Sequence, residues 1–166
     1  MLFAVIATGP SLTQAQVDAV RHLRVVVVSD AYKLAPWADA LVSADKAWWK
    51  FHNPDFAGRR FSALPETGMD LEVMDGIPMG SNSGLWAIHQ AVKLGATRII
   101  LLGFDLGGTH FFGEHPAPLK NTKPERFEVF KTQFERYRPK GVQITNCTPG
   151  SALTCFPRMD LHEALK

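Results

Sequence analysis

Small, polar and anion-friendly residues follow each of four short apolar runs in this chain, and they set the chemistry it can host. Thr8-Gly9-Pro10-Ser11 follows the run at 2–7, Ser29-Asp30 the run at 24–29, Ser43-Ala44-Asp45 the run at 39–43, and Gly103-Phe104-Asp105 the run at 97–102. Gly9 lets a ligand come close to the backbone, Pro10 stiffens the turn, and Ser11 offers a hydroxyl while opening a helix whose free N–H groups favour an anion. A second loop, Gly80-Ser81-Asn82-Ser83-Gly84, also feeds a helix start. Two anion-friendly helix starts point to a nucleotide, against the plainer alternative of ordinary N-capping. Neither loop has the lysine of G-x-x-x-x-G-K-[ST] or the spacing of G-x-G-x-x-G, which excludes the common ATPase and dinucleotide assignments.

The segment Thr109-His110-Phe111-Phe112-Gly113-Glu114-His115-Pro116 places two imidazoles and a carboxylate in one loop. It lacks the helical H-E-x-x-H register, so no metal is expected there, and an imidazole beside a nucleotide cleft suits a general base. The competing reading is a structural histidine. Trp48, Trp49, Phe51 and His52 form an aromatic group, expected as core on one side and exposed on the other. Met69, Met74 and Met79 are expected as gap fillers or flap residues, and Cys147 and Cys155 as buried thiols.

The elements that must position these groups can be read from apolar patterning. The runs at 2–7, 24–29, 39–43 and 97–102 lack polar alternation, which predicts buried parallel strands. A helix over 13–22, capped by Ser11, links the first two. Leu85, Ile88, Ala91 and Val92 predict a helix over 84–94 that stops at Gly95. Phe127, Phe130 and Phe134 predict a third over 123–137, with Pro124 in its first turn and a strand at 142–145 after it. The stretch 53–78, broken by Gly58, Pro65, Gly68, Gly76 and Pro78, predicts short strands at 60–64 and 71–74 or a flap. The fold class expected is α/β: one Rossmann-like domain over 1–166, a mostly parallel sheet with helices on both faces. Ligands of such sheets bind beyond the carboxyl ends of the strands, where the polar residues above converge.

Composition narrows the function. With 166 residues, 46% hydrophobic and 20% charged, the chain can bury a core, which excludes disordered and fibrous classes. A net charge of +2 from 18 basic and 16 acidic residues does not announce nucleic acid as a partner. The opening apolar run lacks a basic leader and is too short for a membrane span. Two cysteines with no C-x-x-C fit a reducing cytoplasm. The partner expected is a small-molecule nucleotide ligand; self-association into a homo-oligomer stays open.

Taken in order, these motifs resemble those of the Campylobacter-type bacterial sialyltransferases and the wider DUF115-like group that includes archaeal hydroxymethylpterin pyrophosphokinases. Ala7-Thr8-Gly9-Pro10-Ser11-Leu12 resembles their G-N-G-P-S-L; Asn82-Ser83-Gly84, then Lys93-Leu94-Gly95, then Gly103-Phe104-Asp105 resembles their serine-glycine helix start, A-L-G and G-[IF]-D. His110-Phe111-Phe112-Gly113-Glu114-His115 resembles H-Y-x-G-H with one insertion, and Cys147-Thr148-Pro149-Gly150-Ser151 resembles C-P-N-S. The resemblance implies a nucleotide or nucleotide-sugar donor whose phosphate lies at Gly9 and Ser11, with Asn82, Ser83 and Gly84 at its sugar or base. It places Asp30 at a donor-contacting position and His115 as the general base, with His110 as the fallback, and it implies no metal and no cofactor. Thr8 stands where the family has asparagine, and Leu106-Gly107-Gly108 where it has phosphate-binding tyrosines. Three functions follow as expectations: a minimal sialyltransferase; a pyrophosphokinase-like transferase using a divalent cation on Asp30, Asp45 and Asp105; or a non-catalytic phage-type protein that sequesters a nucleotide.

Overall fold

The computed structural model describes residues 1–76 and 80–166. Pro78 and Met79, read above as a chain breaker and a gap filler, lie outside the described residues. In chain order the elements are β1 (Leu2–Ile6), α1 (Gln14–Ala19), β2 (Arg24–Val28), a 3₁₀ turn (Ser29–Lys33), β3 (Ala40–Ser43), α2 (Lys46–His52), β4 (Arg59–Ser62), β5 (Glu72–Val73), α3 (Ser83–Lys93), β6 (Arg98–Leu102), α4 (Pro124–Arg136), β7 (Gln143–Asn146) and α5 (Leu161–Ala164). The strands form one sheet in the order β5-β4-β3-β2-β1-β6-β7, and every described pairing is parallel. This is the α/β, Rossmann-like layering expected from the patterning.

The sheet is covered on both faces, which is why its central strands show no polar alternation. Phe3, Val5, Val26, Val28, Ile99 and Leu101 point to one side and pack with Leu85, Ile88 and Ala91 of α3 and Phe134 of α4. Ala4, Ile6, Val25, Val27, Ile100 and Leu102 point to the other, against Val17 of α1, Trp48 and Trp49 of α2, and Ala164 of α5. Both short strands of the middle stretch join the sheet at its β4–β5 edge.

The start of α1 departs from expectation. Thr13, not Ser11, is its N-cap: the Thr13 hydroxyl accepts from the Gln16 N–H, and the Gln16 side chain accepts from the Thr13 N–H, a reciprocal capping box. Ser11 is unavailable because its hydroxyl donates to Asp105 Oδ2 at 2.9 Å. The helix also ends at Ala19, short of His22.

Strand order reverses at β1. β2 to β5 lie on one side of it and β6 and β7 on the other, so the crevice between the carboxyl ends of β1 and β6 is the topological switch point, where open α/β sheets accept ligands. Among the described residues, no helix is long and apolar enough to cross a membrane.

Candidate functional site

A cleft of about 570 Å³ opens at that switch point. Its floor is Ala7, Thr8 and Gly9 after β1 and Gly103 and Phe104 after β6; Asn82, Ser83 and Gly84 at the head of α3 form one wall. The loop after β6 brings His110 and His115 to it, and the start of α4 brings Lys120, Lys123, Arg126, Phe127 and Phe130. Two non-glycine residues with left-handed backbone, Ser29 (φ 44°) and Leu106 (φ 55°), belong to this rim, Ser29 lining the cleft with Leu106. Such strain is characteristic of sites whose geometry is held by the surroundings.

Of the residues expected at a ligand, the cleft therefore gathers Thr8, Gly9, Asn82, Ser83, Gly84, His110 and His115, whereas Pro10, Ser11, Asp30 and Asp105 do not line it. Asp105 is turned into the β1 loop, where it accepts from the Ser11 N–H at 3.3 Å and the Ser11 hydroxyl at 2.9 Å. Burial pushes its carboxyl up, and those hydrogen bonds offset only part of the rise. The Gly9 N–H donates to the Gly103 carbonyl at 2.8 Å. The Gly9-Pro10-Ser11 turn thus spends its donors on the crossing between the ends of β1 and β6.

The second loop is also internally engaged. Asn82 caps α3, its Oδ1 accepting from Leu85 N–H at 3.1 Å while its Nδ2 donates to Gln133 Oε1 at 3.0 Å. Ser83 Oγ accepts from the Ala44 N–H at 2.9 Å, tying α3 to the end of β3. Asn82 thus caps α3 and Ser83 ties it to β3, while both also line the cleft. Asn82→Ala is expected to lower stability by about 1–2 kcal/mol, the cost of a lost cap, with the half-buried Gln133 carboxamide also losing its partner. A denaturant midpoint unchanged from wild type would remove Asn82 from the structural frame.

The histidine loop is built to orient rings. His110 and Gly113 exchange backbone hydrogen bonds at 3.0 and 3.1 Å, and the tight turn stacks Phe112 on His110 at 4.8 Å and 3°. His110 Nδ1 lies 2.8 Å from the Thr8 hydroxyl, which fixes the ring against the β1 loop. Burial, with the charge of His115 adding to it, pushes the His110 imidazole down to about 4. His115 packs against the same rings, 4.5 Å from His110. Burial lowers it too, against the raising fields of Asp30 and Asp45.

Behind His115 lies Asp30, buried at the end of β2. Its Oδ2 takes the Lys33 ammonium at 2.6 Å and its Oδ1 the Trp48 indole N–H at 2.7 Å. Burial pushes this carboxyl up, but those two hydrogen bonds and the His52 and Lys33 charges outweigh it, and the group stays below its usual value. The carboxylates Asp30, Asp45 and Asp105 do not meet: Asp45 caps α2 through Ala47 N–H, and Asp105 is held by Ser11. The all-carboxylate cation site expected for a pyrophosphokinase is therefore not assembled.

Residues that the sequence reading missed are the cationic start of α4 and His52. Lys120, Lys123 and Arg126 surround a helix N-terminus that has no side-chain cap, where the dipole disfavours cations. That mismatch is a signal legible in Lys120-Asn121-Thr122-Lys123-Pro124-Glu125-Arg126. Trp48 and Trp49 are core as expected and Phe51 is exposed, but His52 sits one turn after Trp48 on the same face of α2, its ring 4.8 Å away, and turns to Asp30. Cys147 is buried and Cys155 half-buried, and both are free thiols.

No protein-family model matches the chain, and no curated protein does. Among solved structures it is similar to a thiamin pyrophosphokinase from Geobacillus thermodenitrificans, 16% identical with a TM-score of 0.38, over 87% of this chain. The matched region spans 59% of that chain. A likeness of this size carries no argument about activity.

Proposed function

We propose that the chain binds a nucleotide-type ligand in the switch-point cleft and transfers a phosphate-bearing group from it to an acceptor hydroxyl. The observation that carries this reading is the wall formed by the start of α4 and the segment leading into it, where Lys120, Lys123 and Arg126 stand beside Phe127 and Phe130 and face the small residues of the β1 and β6 ends. Cations meet the phosphates, an aromatic surface meets a base, and the glycines leave room between them. Asp45 and Glu125 are the carboxylates of the lining, so the cations outnumber them.

Phosphoryl-type transfer is favoured over sialyl transfer by the groups available to a leaving phosphate. Leu106 and Gly107 at that position offer no hydroxyl, whereas lysine and arginine clamps suit a phosphoryl transition state, whose catalysis is positioning and charge neutralisation. In the step, the acceptor oxygen forms a bond to phosphorus and the bond to the leaving oxygen breaks. The acceptor proton passes to His115. With Nδ1 turned to Asp30 at 3.9 Å, the nitrogen left for an acceptor is Nε2, and the carboxylate stabilises the imidazolium that forms.

Titration calorimetry with nucleoside mono-, di- and triphosphates and nucleotide sugars tests the reading, followed by product analysis of whichever ligand binds. Arg126→Glu and Lys123→Glu are expected to weaken that ligand about tenfold or more each, since each reversal removes a charge-assisted contact of about 1.5–3 kcal/mol, without lowering the melting temperature, because an acidic residue suits this helix start. Absence of nucleotide binding, or affinity unchanged in both variants, would overturn it.

A further inference from the structure

We propose that Asp30, His52 and His115 form a binding site for one divalent transition-metal ion of the zinc class. The site stands on geometry and is independent of the nucleotide reading. His52 Nε2 and His115 Nδ1 both face Asp30 Oδ1, at 3.6 and 3.9 Å, and the three ligand atoms lie within 4.8 Å of one another. Zinc bonds of about 2.0–2.1 Å place neighbouring ligands in a tetrahedral set roughly 3.4 Å apart, so the two contacts to Asp30 need to shorten by a few tenths of an ångström and the two rings to swing together by at most about 1.4 Å.

Each of the two imidazole nitrogens is buried and has no hydrogen-bond partner among the described residues. The side chains are 2%, 10% and 13% exposed for Asp30, His52 and His115. Orphaned buried nitrogens are costly, and two of them aimed at one carboxylate oxygen call for a shared cation. Neither ring nitrogen is within hydrogen-bond distance of Asp30, so the carboxylate alone satisfies neither. Neutral imidazole is the form that ligates a metal.

The surroundings of the carboxylate match those of a ligand held from behind. Trp48 and Lys33 hydrogen-bond Asp30 and fix its plane, as outer partners of metal ligands do. Three protein ligands leave a fourth position for water or substrate, and two imidazoles with one carboxylate select zinc-class ions over magnesium, which prefers oxygen. His115 also lines the cleft, so the ion would stand at its inner wall.

One consequence does rest on the transfer reading. A metal on Nδ1 leaves Nε2 as an N–H donor, so the loaded protein cannot use His115 as a base. Zinc is then expected to lower turnover and a chelator to restore it.

The test uses chelator-treated full-length protein titrated with zinc chloride alone, together with the visible spectrum of bound cobalt(II). Wild type is expected to take up one ion per chain with a low-coordinate cobalt spectrum. His52→Gln and His115→Gln are expected to weaken uptake at least about a hundredfold, because loss even of an outer partner costs 10–100-fold. No stoichiometric uptake by wild type, or uptake unchanged in both variants, would overturn the site; the cobalt spectrum of wild type decides the matter if a variant fails to fold. Activation by zinc upholds the site and instead overturns His115 as a base.

Discussion

Gly9→Ala is expected to destabilise the protein by about 3–5 kcal/mol, before any question of ligand binding arises. A Cβ at this position would lie 1.9 Å from Asp105 Oδ2 and 2.5 Å from the Gly103 carbonyl oxygen. Neither neighbour can yield cheaply. The carbonyl is backbone and already accepts the Gly9 N–H, and moving the carboxylate breaks both of its bonds to Ser11. Overpacking costs typically ~1–3 kcal/mol, and unpairing a buried, partly charged network adds a similar amount. Urea unfolding of Gly9→Ala measures the loss. Asp105→Ala removes the nearer obstacle, so Gly9→Ala should cost less in that background, a coupling that a double-mutant cycle reads directly. A Gly9→Ala loss below about 1 kcal/mol would show that the β1–β6 crossing is not the constraint on this residue.

The constraint on Gly9 comes from far along the chain: the residue lines the cleft, and its missing Cβ is also required by the approach of the Gly103 carbonyl and the Asp105 carboxylate. Spacing within Thr8-Gly9-Pro10-Ser11 cannot reveal Asp105. Ser11 fails as a cap for the same reason: its local chemistry suits a helix start, but a distant carboxylate takes its hydroxyl, and Thr13 with Gln16 supplies the cap instead.

The sheet was legible because its information is local. Runs such as Arg98-Ile99-Ile100-Leu101-Leu102 are apolar at every position after the first, and their shortness and β-branched residues fit a strand covered on both faces. Gly95, at φ 100°, and Pro124 at the first turn of α4 punctuate their helices where residue type alone places them. Strand order was not legible. It depends on which strands meet at the β1–β6 crevice, and that pairing decides which loops can share a ligand.

The histidines divide along the same line. His110 and His115 could be singled out because one loop carries both, with glycine and proline around them. His52 was hidden among aromatic residues; its meaning comes from Trp48 one turn earlier and from Asp30 on another strand. The basic start of α4 carried a local signal, cations where the helix dipole disfavours them, and only the fold shows that they face the β1 loop.

His115→Ala is expected to lower turnover of the ligand found by titration by about 100- to 10,000-fold, the usual contribution of a positioned base, with donor affinity nearly intact. The split follows from placement. The phosphates are assigned to Lys120, Lys123 and Arg126 around the start of α4, whereas the His115 ring is half-buried against His110 and Phe112. A purely structural role predicts something different, because removing a packed ring lowers turnover only by lowering the folded fraction. Free imidazole separates the two. It can enter the space left by the side chain and accept the acceptor proton, so partial rescue in chelator-treated His115→Ala supports proton transfer, and a ring that merely packs gives none. Turnover equal to wild type in His115→Ala would move the base to His110. That residue is poorly suited to the task, since burial holds its imidazole at about 4 and makes it a weak acceptor at neutral pH.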